Sequence, residues 1–156
     1  MNSIEVDIKA IKFPLHFKGK IIKGFGRGSK ELGIPTANLP IEDYEEQLRE
    51  IPVGVYYGFA NVEGLNNDKV YPMAMSIGWN PFYKNTKKTI EVHLIEKFDR
   101  DFYGKELKAI ALGYIRPMCT FNSLDELIKA IQKDIEISKE SLQTQSEYQT
   151  NSFFTV

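Results

Sequence analysis

Strand-like segments follow one another through most of this chain with no helical periodicity between them, and that pattern constrains the fold more than any other feature. The segment KKTIEVHLIEK (87–97) alternates: Ile90, Val92 and Leu94 point one way, and Glu91, His93 and Ile95 the other. VGVYYGFANV (53–62) and VYPMAMSIG (70–78) are rich in β-branched and aromatic residues, which suit a pleated, half-buried surface. Similar alternation surrounds Phe17 to Gly24, and KELKAIALGYI (105–115) ends at Arg116-Pro117. Turn chemistry separates these runs: Gly64 with Asn66-Asn67-Asp68, then Asn80-Pro81, then Asp99 to Asp101. Parallel strands need long crossovers, so five or six strands at this spacing predict an all-β antiparallel barrel rather than a parallel α/β sheet.

One helix is expected near the C-terminus. Ser123-Leu-Asp-Glu126 is a capping box, and Leu124, Leu127, Ile128, Ile131 and Ile135 then recur at helical spacing as one apolar stripe that should dock on the barrel. Glu42 to Glu50 reads as a weaker, acidic helical or loop segment. The chain is expected to be a single domain over 1–156, with its core over about 15–142. The polar tail, 143–156, is expected to be loose, with Phe153 and Phe154 able to pack back.

Composition narrows the function classes. At 156 residues and 42% hydrophobic, the chain can bury a core without covalent staples. Lys plus Arg is 20 against 21 for Asp plus Glu, so no overall positive excess exists for DNA or RNA. Cys119 is the single cysteine, which excludes an internal disulfide and fits a reducing compartment. His16, His93 and Cys119 are too few soft ligands for a structural zinc site. The N-terminus lacks an apolar signal core, and no apolar run approaches a membrane span. A soluble, cytoplasmic monomer with no nucleic-acid or membrane partner is the expectation.

Within this neutral chain, positive charge is concentrated at one place. Lys18, Lys20, Lys23, Arg27 and Lys30 fall within thirteen residues that contain no acid. They surround Gly24, Gly26 and Gly28, which alternate with Phe25 and Arg27 and are followed by Ser29. Glycine lets backbone N–H groups approach phosphate oxygens closely. A flexible hairpin with solvated lysines would look the same. Neither the Walker pattern nor the dinucleotide pattern is met, because Ser29 stands where each needs another residue. In Ile34-Pro35-Thr36-Ala37-Asn38, extended backbone would put Thr36 and Asn38 on one side. A hydroxyl and an amide oxygen there can ligate Mg²⁺ alongside phosphates and water; local turn hydrogen bonds are the ordinary role of these residues.

Taken together, these blocks resemble a known family. GFGRGSKELGIPTANL is similar to the glycine-rich loop and Pro-Thr-Ala-Asn motif of the riboflavin kinases. SIGWNPFYKNTKKTIEVHLI (76–95), FYGKEL (102–107) and GYIRP (113–117) resemble the family's later blocks, in order. The resemblance covers roughly 15–142 and has the order of the stand-alone eukaryotic type. It implies a six-stranded antiparallel Greek-key barrel with a C-terminal helix, and ATP-dependent phosphorylation of riboflavin to FMN. It further implies that Lys23, Gly24, Phe25, Gly26, Arg27, Gly28, Ser29 and Lys30 cover the ATP phosphates. Thr36 and Asn38 would hold Mg²⁺, with Zn²⁺ or Mn²⁺ as alternatives. Glu91 would be the catalytic carboxylate, and Arg116, Met118 and Phe121 would meet the flavin. No His-x-Gly-His motif surrounds His16 or His93, so FAD synthesis is not expected.

From pattern alone each of these residues also has a plainer role. Glu91 would be a solvated strand glutamate and His93 a partly buried structural histidine. Arg116 would form a surface ion pair worth little. Met73, Met75 and Met118 would fill the core, as would Trp79, Phe82 and Tyr83. The rival functions are a non-catalytic flavin- or nucleotide-binding barrel, a small nucleic-acid-binding barrel, and a kinase for another alcohol.

Overall fold

The computed structural model describes residues 11–22, 36–40, 44–65, 67–79, 88–96 and 104–154. Six strands follow in chain order: β1 (Leu15–Lys20), β2 (Thr36–Leu39), β3 (Gly54–Val62), β4 (Tyr71–Trp79), β5 (Lys88–Leu94) and β6 (Glu106–Arg116). A short helix, α1 (Glu45–Glu50), precedes β3, and a long one, α2 (Leu124–Leu142), follows β6. The strands form one antiparallel sheet in the order β1-β6-β3-β4-β5-β2. Three hairpin-linked strands, β3 to β5, with β6 returning beside β3, make the Greek key that the resemblance implies. Just beyond β1, the Ile22 N–H donates to the Asn38 carbonyl at 2.8 Å. The two edges of the sheet thereby meet, and the barrel is nearly closed.

Four strands lie where alternation or β-rich composition predicts them, and β1 overlaps its expected segment, Phe17 to Gly24, only as far as Lys20. The sixth, β2, is the segment expected to be extended for a chemical reason, and four residues are too few to show a period. Phe17, Leu39, Tyr56, Met73, Met75, Ile77, Ile90, Val92 and Leu94 fill the barrel and are all but inaccessible. At ~25 cal/mol per Å² of apolar surface, this interior supplies most of the driving force for folding. Curvature between β3 and β6 depends on two glycines. A Cβ on Gly58 would lie 1.9 Å from the Ile110 carbonyl oxygen, and one on Gly113 2.2 Å from the Tyr57 ring. No side chain fits at Gly58 against that backbone, one at Gly113 would displace the Tyr57 ring, and the register slips nearby, between Tyr57 and Gly58. The β3–β4 turn uses the predicted residues: Asn67 and Asp68 have φ of 59° and 60°, and the Asp68 carboxylate accepts the Gly64 N–H at 2.6 Å.

The α2 helix begins as its capping box predicts. Ser123 Oγ accepts the Glu126 N–H at 3.2 Å, while the Glu126 carboxylate accepts from Asn122 N at 3.1 Å. Its buried face differs from the predicted stripe. Leu124 is 47% exposed, and the fully buried positions are Ile131, Asp134, Ser138 and Leu142. Burial of Asp134 has a specific cause, given below. The tail also differs from expectation. Residues Ser146–Thr150 and Ser152–Phe154 form 3₁₀ turns, and Phe154 packs with Leu142, Phe59, Ile110 and Leu112 in a second apolar cluster. The Asn61 amide donates to the Phe154 carbonyl at 3.3 Å and helps fasten it. A helix end and two phenylalanines together bury enough apolar surface to hold a segment that is polar elsewhere. No helix among the described residues is long and apolar enough to cross a membrane.

Candidate active site

Because Ile90, Val92 and Leu94 occupy the barrel interior, alternation along β5 places Glu91 and His93 on its outer face. In the antiparallel register, β2 sets Asn38 opposite Glu91 and Thr36 opposite His93. On the other flank, β4 sets Ser76 opposite Glu91 and Ala74 opposite His93. Directly opposed residues share a face, so Asn38, Glu91 and Ser76 form one row across three strands. The exposed side of β4 reads Ala74, Ser76, Gly78, so little bulk stands beside the Glu91 carboxylate.

Two buried side-chain atoms among the described residues lack a hydrogen-bond partner: Asn38 Nδ2 and His93 Nδ1. Native proteins pair nearly all such atoms, and each exception calls for a cause. Both exceptions lie in this one patch. Asn38 is 4% exposed, so its amide is no solvated turn residue. Glu91 is not a free surface glutamate either: His93 Nε2 lies 3.1 Å from its Oε1, and both side chains are largely covered. The unpartnered Asn38 Nδ2 is an N–H donor that fits a phosphate oxygen, while Asn38 Oδ1 and the Ser76 hydroxyl are neutral oxygens. That chemistry fits a hard cation that arrives with its own phosphate ligands. No group of three or more His, Cys, Asp or Glu gathers among the described residues.

The β6 exit adjoins this row. Met118 is 44% exposed, and its Cε lies 3.5 Å from where a Cβ on Gly78 would stand. Gly78 is two residues along β4 from Ser76, on the same face. The Arg116 guanidinium lies over the Phe121 ring at 5.8 Å. Its fork is engaged with α2: Nε donates to Asp134 Oδ1 and Nη2 to Oδ2, each at 2.8 Å. Burial opposes the charge on Arg116, but the paired Asp134 outweighs it and holds the guanidinium above its ordinary pKa. This pair accounts for Asp134 on the buried face of α2. The sequence carried one sign of it, an acid lodged in an otherwise core-facing helix position.

At the start of β5, the Lys88 ammonium donates to the Leu48 and Ile51 carbonyls, each at 2.7 Å, and sits 5.3 Å from the Trp79 ring centre. It caps the C-terminal end of α1, and burial pushes its pKa down. Sequence inspection had no signal for this role, because the carbonyls it meets are some forty residues away. The phosphate loop from Lys23 to Lys30 and the aromatics Phe82 and Tyr83 lie outside the described residues. Thr36 is placed by its backbone register alone.

Comparison with known proteins agrees with this fold. A family model described as riboflavin kinase (flavokinase) matches residues 11–142. The chain is 53% identical over 141 residues to the bifunctional riboflavin kinase/FMN phosphatase of Arabidopsis thaliana, covering 90% of this chain and 35% of that longer protein. It is 48% identical over 130 residues to the riboflavin kinase of Homo sapiens, covering 83% of this chain and 82% of that one. Among solved structures, the riboflavin kinase of Trypanosoma brucei superimposes with a TM-score of 0.72 at 31% identity, covering 92% of this chain and 87% of that one. On strand order and sequence alike, the chain belongs to the riboflavin kinase family.

Proposed function

We propose that the outer β2·β5 face is where this chain transfers the γ-phosphate of ATP to the 5′-hydroxyl of the riboflavin ribityl chain, giving FMN and ADP, with Glu91 as the base. The carrying observation is the buried Asn38 amide nitrogen, without a partner among the described residues, in the row directly opposite the Glu91 carboxylate. A primary alcohol is a weak nucleophile at neutral pH. A carboxylate oxygen within about 3 Å orients it and takes its proton as the oxygen attacks phosphorus. The bond from the γ-phosphorus to the bridging oxygen breaks, and ADP carries away the electron pair. Positioning does most of the remaining work in such transfers.

Each of the other groups has a part. Backbone N–H groups of the loop from Lys23 to Lys30 hold the ATP phosphates. Thr36 and Asn38 hold a divalent cation, Mg²⁺ by preference for neutral oxygens, with Mn²⁺ or Zn²⁺ as substitutes. When bound, that ion neutralises charge on the phosphates. Met118 and Phe121 offer the flavin an apolar surface at the end of the Glu91 row. Arg116 holds that segment through Asp134, which leaves little of its fork for a ligand.

The experiment is to incubate the purified chain with riboflavin, ATP and Mg²⁺ and to resolve the flavins by chromatography. FMN and ADP should appear in equal amounts, and a panel of other alcohols should stay unphosphorylated. Flavin binding without FMN under any divalent ion would make the chain a non-catalytic flavin module and overturn the proposal.

A further inference from the structure

The reaction as proposed uses one oxygen of Glu91, yet the other is already engaged. His93 Nε2 lies 3.1 Å from Oε1, and among the described residues nothing else meets this carboxylate. We infer that His93 is a positioning residue: its Nε2–H holds Oε1, fixes the plane of the carboxylate and reserves Oε2 for the acceptor hydroxyl. This rests on the role proposed above for Glu91.

The way His93 is bonded argues for this role. A histidine that serves the fold usually ties both ring nitrogens to backbone or side chains. Here Nδ1 is buried and has no partner among the described residues, where the ring's single polar contact is Glu91. With Nε2 as donor, Nδ1 is the bare acceptor nitrogen, which needs no donor of its own to keep the tautomer. The neighbours fit the same picture. Ala74 stands opposite on β4 and offers no polar side chain, so the ring has no competing partner there. Position 93 is two residues from 91 on one strand, and this spacing brings the two side chains side by side on the outer face.

The benefit is pre-organisation. A free glutamate has three rotatable bonds and would have to order itself each time substrate arrives. Held through Oε1, it presents Oε2 in one direction before riboflavin binds, which is the kind of geometric control that a displacement of an ångström undoes. A histidine acting in this way should affect the chemical step and leave substrate binding alone.

Four variants test it: His93→Leu, His93→Gln, Glu91→Gln and the Glu91→Gln/His93→Leu double variant. His93→Leu should lower kcat by about 10- to 100-fold, while KM for riboflavin and for ATP stays within about twofold. His93→Gln should recover most of the loss, because its amide N–H reaches Oε1 from the same strand position. With Glu91→Gln in place, adding His93→Leu should slow the reaction little further, as two residues acting through one group are not additive. Wild-type kcat in His93→Leu, equal loss in the Leu and Gln variants, or fully multiplicative loss in the double variant would each overturn the inference. Near-normal turnover by Glu91→Gln would instead overturn the base assignment on which it stands. Should His93→Leu not fold, the comparison passes to His93→Gln against His93→Asn. The shorter amide cannot reach Oε1, so Asn should be slow and Gln fast at matching thermal stability; equal rates would sink the idea.

Discussion

Two carboxylates, the buried Asp134 on α2 and the partly covered Glu91 on β5, each meet a nitrogenous side chain, and they are used in opposite ways. Asp134 is saturated: both oxygens accept from the Arg116 fork at 2.8 Å. Glu91 meets His93 through one oxygen at 3.1 Å, and beside it lies an amide nitrogen with no partner among the described residues. A closed pair can hold a helix to a barrel, and it has no capacity left for a ligand. An open pair is poor structural material, because buried polar groups left unmatched cost stability. The barrel tolerates that cost at the one face where substrate groups can make up the missing bonds. Unmatched polar groups at a site, and saturation elsewhere, are the expected division in a protein that must bind something.

The strongest way to break this comparison is at Glu91. Glu91→Gln keeps the shape and removes the base, so kcat should fall by about 10²- to 10⁴-fold with an unchanged unfolding midpoint. Steady-state FMN formation alongside thermal melting checks it, and a loss of stability without loss of rate would reverse the roles assigned here. Next in size is Asp134→Ala. It strands a half-buried guanidinium, and about 3 kcal/mol of stability should go, read by denaturant titration. Turnover at low temperature should suffer far less.

A second closed pair sharpens the same contrast. The Tyr56 hydroxyl donates to the Pro52 carbonyl at 2.6 Å, and its ring packs edge-on against Tyr114 at 5.1 Å. Burial, then the neighbouring Tyr114, pushes the Tyr56 phenol well above its ordinary 10.0. Burial also raises Tyr114, against the pull of Arg116. A raised folded-state value means that the unfolded chain ionises first. The stabilisation is complete below pH 10 and is lost as pH climbs from there towards the folded-state value. Stability should therefore fall by up to about 1.4 kcal/mol per pH unit per tyrosine, and Tyr56→Phe should flatten that slope. The smallest shift in stability is the most diagnostic. Asn38→Leu replaces a buried amide without a partner, so the protein should become about 1 kcal/mol more stable while Mg²⁺-dependent turnover collapses. A destabilised Asn38→Leu would mean that the amide serves the fold after all.

How much of this was legible beforehand depends on distance along the chain. Strand alternation, turn residues and the Ser123–Glu126 cap are local properties, and they settled the fold class, four of six strands and part of β1. The loop-and-motif order named the family, and the two-residue spacing of Glu91 and His93 already put them on one face. What required the folded chain was every pairing between remote segments. Asn38 opposite Glu91, Arg116 forked onto Asp134, Lys88 capping α1 and Phe154 returning to β6 all join positions far apart in sequence. Local sequence sets which way a side chain points from its own backbone. Only the register of the closed barrel decides what it meets there, because hydrogen-bonded strands bring together residues whose identities are written independently.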